Sequence, residues 1–225
     1  VARHVELIKN VIKYSIVQEE IESNPIVHME SDRENKTDKT HLSTEELIKM
    51  EQFDFGGEIL LDEVRDMFVF MAHTGMNISD YYKFAKNVKA HLHKQDGVEF
   101  IIQNRQKLRK RFENKILAFI PIDKKVKELL KKYKNKLPIH EDTKVNEKLK
   151  EIGKHLGISI TKMKTKVARK TFANEQYNSE IDVRAVSAMM GHTKTSTTEQ
   201  YYANSKLDFV AKQFKKANNN TKKHD

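Results

Sequence analysis

A chain of 225 residues can fill one good core, or one domain with part of another. Its 42 Lys and Arg against 32 Asp and Glu give a net charge of +10, interspersed with acids and not gathered in a tail, which suits a folded domain with a positive face and a polyanionic partner. The absence of cysteine excludes disulfides, thiolate metal sites and cysteine nucleophiles and suits a reducing compartment, and the longest apolar run, about six residues around Met67–Ala72, is far too short to span a membrane.

The chain opens on Val1 inside a helical pattern, and the expectation is a piece of a longer protein. Residues 6–17 place Ile8, Val11, Ile12 and Ile16 at helical spacing. Asn24-Pro25 stops that helix. Residues 29–41 are mostly polar and charged and read as a linker. Ser43-Thr44-Glu45-Glu46 is a capping box, so a new folded unit starts there. Helices are expected at 60–73, with Leu61, Val64, Phe68 and Met71 on one face, and at 78–86, with Thr74-Gly75 between them. The period then changes: Val88, Ala90 and Leu92 alternate with Lys89, His91 and His93, which predicts a strand.

Asp96-Gly97 signals a turn, and Val98–Asn104 and Lys115–Ile120 predict two further strands. The expected fold class is therefore mainly α with a small three-stranded antiparallel meander, ended by Pro121. Helices follow at 123–134, 144–156, 166–178, 182–190 and 206–217, the last with Leu207, Val210, Ala211 and Phe214 on one stripe. Residues 218–225, NNNTKKHD, are expected to be a disordered tail.

The stretch from Lys166 to Tyr202 carries the chemistry. It holds Arg169, a Gly191-His192 pair, and Tyr201 nine residues after that His. A tyrosine is ordinarily a half-buried packing residue. A phenolate can also attack a phosphodiester and keep the bond energy as a phosphotyrosine. Such a nucleophile needs cations around the phosphate, and Lys166, Arg169 and His192 precede it.

These residues resemble the catalytic domain of the tyrosine recombinase (phage integrase) family. ARKTFA at 168–173 is similar to that family's second-arginine box, and MMGHTKTSTTEQY at 189–201 to its Gly-His and tyrosine box. HTGMNISD at 73–80 is similar to its first-arginine box. The motifs stand in the family's order over residues 39–217. The closeness of the Gly-His and tyrosine boxes, and the modest length, set the chain apart from type IB topoisomerases. The resemblance implies a tyrosine recombinase catalytic domain at 39–217, joined by a linker at 29–38 to the last helix (1–28) of an N-terminal core-binding domain.

The resemblance also implies roles. Tyr201 is the nucleophile, favoured over the adjacent Tyr202 by the nine-residue step from His192. Arg169 is the second catalytic arginine, whose fork holds non-bridging phosphate oxygens. Lys166 takes the place where the family has His or, less often, Lys. His192 donates to the phosphate or positions the tyrosine. Lys107, after the second strand, is the hairpin lysine that protonates the departing 5′ oxygen. Arg105, Arg109, Lys110, Arg111, Lys162, Lys164 and Lys170 read as contacts to DNA phosphates.

The implied partner is double-stranded DNA, bound by a tetramer in which the 206–217 helix can dock on a neighbouring protomer or pack in cis. No metal or nucleotide cofactor is required. A bacterial cytoplasmic, nucleoid-associated setting is implied. One position departs from the pattern: where the family has its first arginine, two residues after Gly75, this chain has Asn77. An amide offers a neutral hydrogen bond and not a charged fork. Losing such a donor commonly costs about 10²–10³ in rate. Lys83 and Lys86 are weak replacements. The alternative reading is a DNA-binding accessory homologue with impaired catalysis.

Overall fold

The computed structural model describes residues 2–27, 38–95, 97–104, 117–179 and 181–192. The chain divides into two compact units, Val1–Asp38 and Lys39–Asp225. The first contains one helix, α1 (Ala2–Val17), which leaves Leu7, Ile8, Val11, Tyr14 and Val17 exposed.

The second unit opens on the expected capping box. Ser43 Oγ accepts from the Glu46 backbone N–H at 3.1 Å, and Glu46 Oε2 accepts from the Ser43 N–H at 2.8 Å. Two otherwise unsatisfied donors of α2 (Thr44–Gln52) are thereby paired. Helix α3 (Ile59–Thr74) runs through the middle of the unit. Val64, Met67, Phe68, Phe70 and Met71 are fully buried along it, so it is apolar on more than one face, as a central helix must be. Phe70 stacks on Phe84 and meets Tyr81 edge-on, which ties α3 to α4 (Ile78–Lys86).

The segment expected to begin a strand at Val88 differs. Val88–His91 is a short 3₁₀ helix, and β1 starts at Leu92 (Leu92–Gln95). Val88 is buried against the core while the Leu92 N–H bonds to the Lys89 carbonyl, so the backbone closes a tight turn before the ladder can begin. Alternation over so few residues does not distinguish such a turn from an extended chain. Strands β2 (Val98–Asn104) and β3 (Leu117–Pro121) complete an antiparallel sheet of order β1-β2-β3. Its register pairs Leu92 with Ile101 and Ile101 with Ile120, which puts these apolar side chains on one face of the sheet.

Helices α5 (Lys124–Lys132), α6 (Asp142–Leu156), α7 (Thr165–Asn178) and α8 (Val183–Met189) follow. The mainly helical fold with a small antiparallel sheet is thus as the sequence pattern predicts. Helix α7 packs along α3 with Val167 and Ala168 in the core. It is also held from the start of the unit. The Leu42 N–H donates to Thr171 Oγ1 at 3.0 Å, and Thr44 Oγ1 donates to Glu175 at 2.8 Å. Phe172, Ala173, Val186 and Met190 form a second, smaller apolar cluster that seats α8 on α7. The expected helix at 206–217 and the tail lie outside the described residues. Among those described, no helix is long and apolar enough to cross a membrane.

Candidate active site

Two local devices prepare the site. Helix α3 ends at Thr74, and Gly75 continues in the left-handed region at φ 67°, its N–H bonded to the Met71 carbonyl at 2.9 Å. A Cβ on Gly75 would lie 2.5 Å from the Phe172 ring, so the turn needs glycine both for its backbone and for the close approach of α7. Helix α8 ends in a Schellman motif. The His192 N–H bonds to the Ser187 carbonyl at 2.9 Å and the Gly191 N–H to the Ala188 carbonyl at 3.1 Å, with Gly191 at φ 56°. The Gly-His pair is therefore a helix stop that aims the His192 ring.

Arg169 joins the two. It lies on the second turn of α7, partly buried. Its Nη1 donates to the Gly75 carbonyl, and its Nη2 donates to the Met190 carbonyl at 2.6 Å. Nη2 also lies 3.0 Å from His192 Nε2. A guanidinium has no acceptor, so Nε2 accepts here and the His192 ring is neutral in this contact. The three segments 73–80, 168–173 and 189–192, far apart in the chain, thus meet at one guanidinium. The carbonyls that align it, Gly75 and Met190, were not singled out in the sequence; only the glycines beside them signalled turns.

Lys166 is exposed three residues before Arg169, on the same side of α7. Lys164 is exposed at the N-cap of α7, and Lys170 is partly buried. The Lys162 ammonium is committed to the capping-box glutamate Glu46, at 2.7 and 2.8 Å to its two oxygens. Burial of Glu46 opposes its ionisation, but hydrogen bonds from Lys162 and the Ser43 N–H hold its pKa below the ordinary value.

Asn77 has a structural role of its own. It is the N-cap of α4, its Oδ1 accepting from the Asp80 N–H at 2.9 Å and from Ser79 Oγ at 2.7 Å. Asparagine is among the best residues for that task. Of the lysines considered as replacements, Lys83 donates to the Asn104 carbonyl at 3.2 Å, at the end of β2, and Lys86 is exposed in the last turn of α4. Tyr201, Tyr202, Lys107, Arg105, Arg109, Lys110 and Arg111 lie outside the described residues.

The sequence reading also passed over His73. This side chain in the last turn of α3 accounts for both ring nitrogens with carboxylates: Nδ1 lies 2.6 Å from Asp123 and Nε2 lies 2.7 Å from Glu51. Burial works against a charged ring, but the hydrogen bonds to Asp123 and Glu51 and their charges outweigh it, and the pKa is raised to about 9.

Among solved structures, the chain is similar to a variant of the Tn1549 transposon integrase in complex with a circular intermediate DNA (TM-score 0.67, 15% identity, 91% of this chain and 75% of that one). It is also similar to the XerH site-specific recombinase in a post-cleavage complex with its palindromic difH substrate (TM-score 0.58, 16% identity, 78% of this chain). The matched part spans about half, 52%, of the XerH chain. At these identities the likeness is one of fold, and the fold is that of the tyrosine recombinase catalytic domain. No curated protein sequence is similar enough to the chain to match it. The model of the phage integrase family matches residues 62–207, more than half of the chain and all three boxes that meet at Arg169, and the chain belongs to that family of tyrosine recombinases.

Proposed function

We propose that the chain is a site-specific DNA recombinase that cuts and rejoins strands through a 3′-phosphotyrosine. The observation that carries this reading is the meeting of Gly75, Arg169 and His192 at one place, with Lys166 one turn away. A guanidinium aligned by two backbone carbonyls is set before any phosphate arrives, as electrostatic stabilisation of a transition state requires.

In this mechanism the Tyr201 hydroxyl gives up its proton to water as its oxygen forms a bond to phosphorus, and the bond to the 5′ oxygen breaks. Lys107 gives its proton to that leaving oxygen. Arg169 and the imidazole of His192 face the non-bridging oxygens, and Lys166 adds a cation beside them. The free 5′-hydroxyl of a partner strand then attacks the phosphotyrosine and releases the tyrosine, so no external energy source is consumed. Four protomers exchange strands in two rounds, and the 206–217 helix docks on a neighbour. The solved relatives bound to DNA support double-stranded DNA as partner. Residues 1–28 are read as the last helix of a core-binding domain, joined by a linker at 29–38. The exposed stripe Leu7, Val11, Tyr14 on α1 supports that, because a helix in a bundle buries such a face.

A pool of nicked duplexes of randomised sequence provides the test. A denaturant-stable adduct is expected, with the modified peptide containing Tyr201 by mass spectrometry, and none from Tyr201→Phe. An adduct that survives that substitution, or maps to Tyr202, rejects the assigned nucleophile. Asn77, spent as a helix cap where the family has an arginine, favours one second reading: a DNA-binding accessory protein with impaired catalysis. An adduct seen only after Asn77→Arg selects it.

A further inference from the structure

The His73 contacts join three elements two residues ahead of Gly75. Carboxylates accept and do not donate, so bonds at both ring nitrogens require the doubly protonated imidazolium. Glu51 comes from α2, and Asp123 caps α5 through its other oxygen, which accepts from the Val126 N–H at 2.8 Å. Among the described residues, α5 adds Lys125 and Glu128 to this cluster. Lys125 reaches Glu51 at 3.3 Å and Glu128 at 3.5 Å. Glu51 and Asp123 are both held below the ordinary carboxylate range; burial opposes this, and the hydrogen bond from His73 heads the causes that lower them.

The last turn of α3 is thus clasped to α2 and α5, and the next turn of the chain presents the Gly75 carbonyl to Arg169. We propose that His73 is a positioning residue for the Arg169 site: its clasp holds the end of α3, and so the Gly75 carbonyl, where the guanidinium is aligned. Loss of one ring proton turns a donor into a lone pair facing a carboxylate, and one side of the clasp must open. The consequence for strand cleavage rests on the function proposed above; the coupling of His73 to Arg169 does not.

The test uses the 225-residue chain, isotope-labelled and followed by NMR, alongside single-turnover adduct formation on the randomised nicked duplexes. His73 is expected to keep both ring protons at neutral pH and to titrate near pH 9, with the Arg169 side-chain N–H signals moving at the same midpoint. Glu51→Gln removes one charge from the clasp and moves both midpoints down by about one unit. His73→Arg keeps a cation with donors on two sides and holds the Arg169 signals steady through about pH 10. His73→Gln slows adduct formation by up to about 10²-fold, as a small misplacement of a catalytic group does. An Arg169 signal indifferent to His73 titration, or one that still moves near pH 9 in His73→Arg, overturns the proposal. Coupled titrations without an adduct at any pH leave the positioning role standing and reject the catalytic reading.

Discussion

Arg169 illustrates how one side chain organises the site. Its planar fork holds the Gly75 and Met190 carbonyls on two separate nitrogens at a fixed spacing, which the single nitrogen of a lysine does not provide. Arg169→Lys is therefore expected to lower adduct formation by about 10²–10³-fold in single-turnover assays, with a lower thermal midpoint as the two carbonyls lose a shared donor. Asn77 sets stability against activity. Replacing it with arginine removes the cap of α4 and costs about 1 kcal/mol, read as a lower urea midpoint with an unchanged m-value. The same variant supplies a charged fork and is expected to raise adduct formation by about 10²–10³-fold. Opposite signs in the two measurements identify the position as a cap occupying the place of a phosphate ligand.

Helix ends do most of the positioning. The Schellman turn after α8 aims His192, and the left-handed turn after α3 presents the Gly75 carbonyl while Phe172 closes over it. Gly75→Ala places a methyl against a ring that is 2% exposed and strains a backbone at φ 67°. A loss of about 1–3 kcal/mol is expected in denaturant unfolding, with cleavage reduced further than the stability loss alone accounts for. The helix ends were partly legible: Ser43 and Glu46 announce the start of α2, and Gly75 and Gly191 announce stops. The Val88 segment was not legible, because its turn is imposed by the burial of Val88 and by the ladder that starts at Leu92 with Ile101.

Charge acts across the whole protein. If binding neutralises about 6–10 phosphates, duplex affinity falls about 10³–10⁵-fold between about 50 and 200 mM salt, as titrations at graded ionic strength will read. Stability responds to pH at both ends. His73, raised from 6.5 to about 9 in the fold, contributes stability that is complete below its ordinary value and is lost as pH rises through about 9. Glu46, Glu51 and Asp123, lowered in the fold, contribute stability that is present above the ordinary carboxylate range and is lost as pH falls through and below it. Thermal midpoints are expected to be highest between the ordinary carboxylate range and about pH 6.5, and to fall on either side of that window. The sequence by itself determined most of the described helices and strands, their order, the three boxes and the absent arginine, because hydrophobic period, caps and turn residues act over a few neighbouring positions. Tertiary structure alone decided what each side chain does with its hydrogen bonds. Lys162, read as a phosphate contact, pairs with Glu46 116 residues away, Arg169 finds Gly75 94 residues away, and His73 closes on Asp123 50 residues away. Those partners are chosen by packing of α2, α5 and α7 against α3, and no local pattern records which distant carbonyl or carboxylate that packing brings within 3 Å.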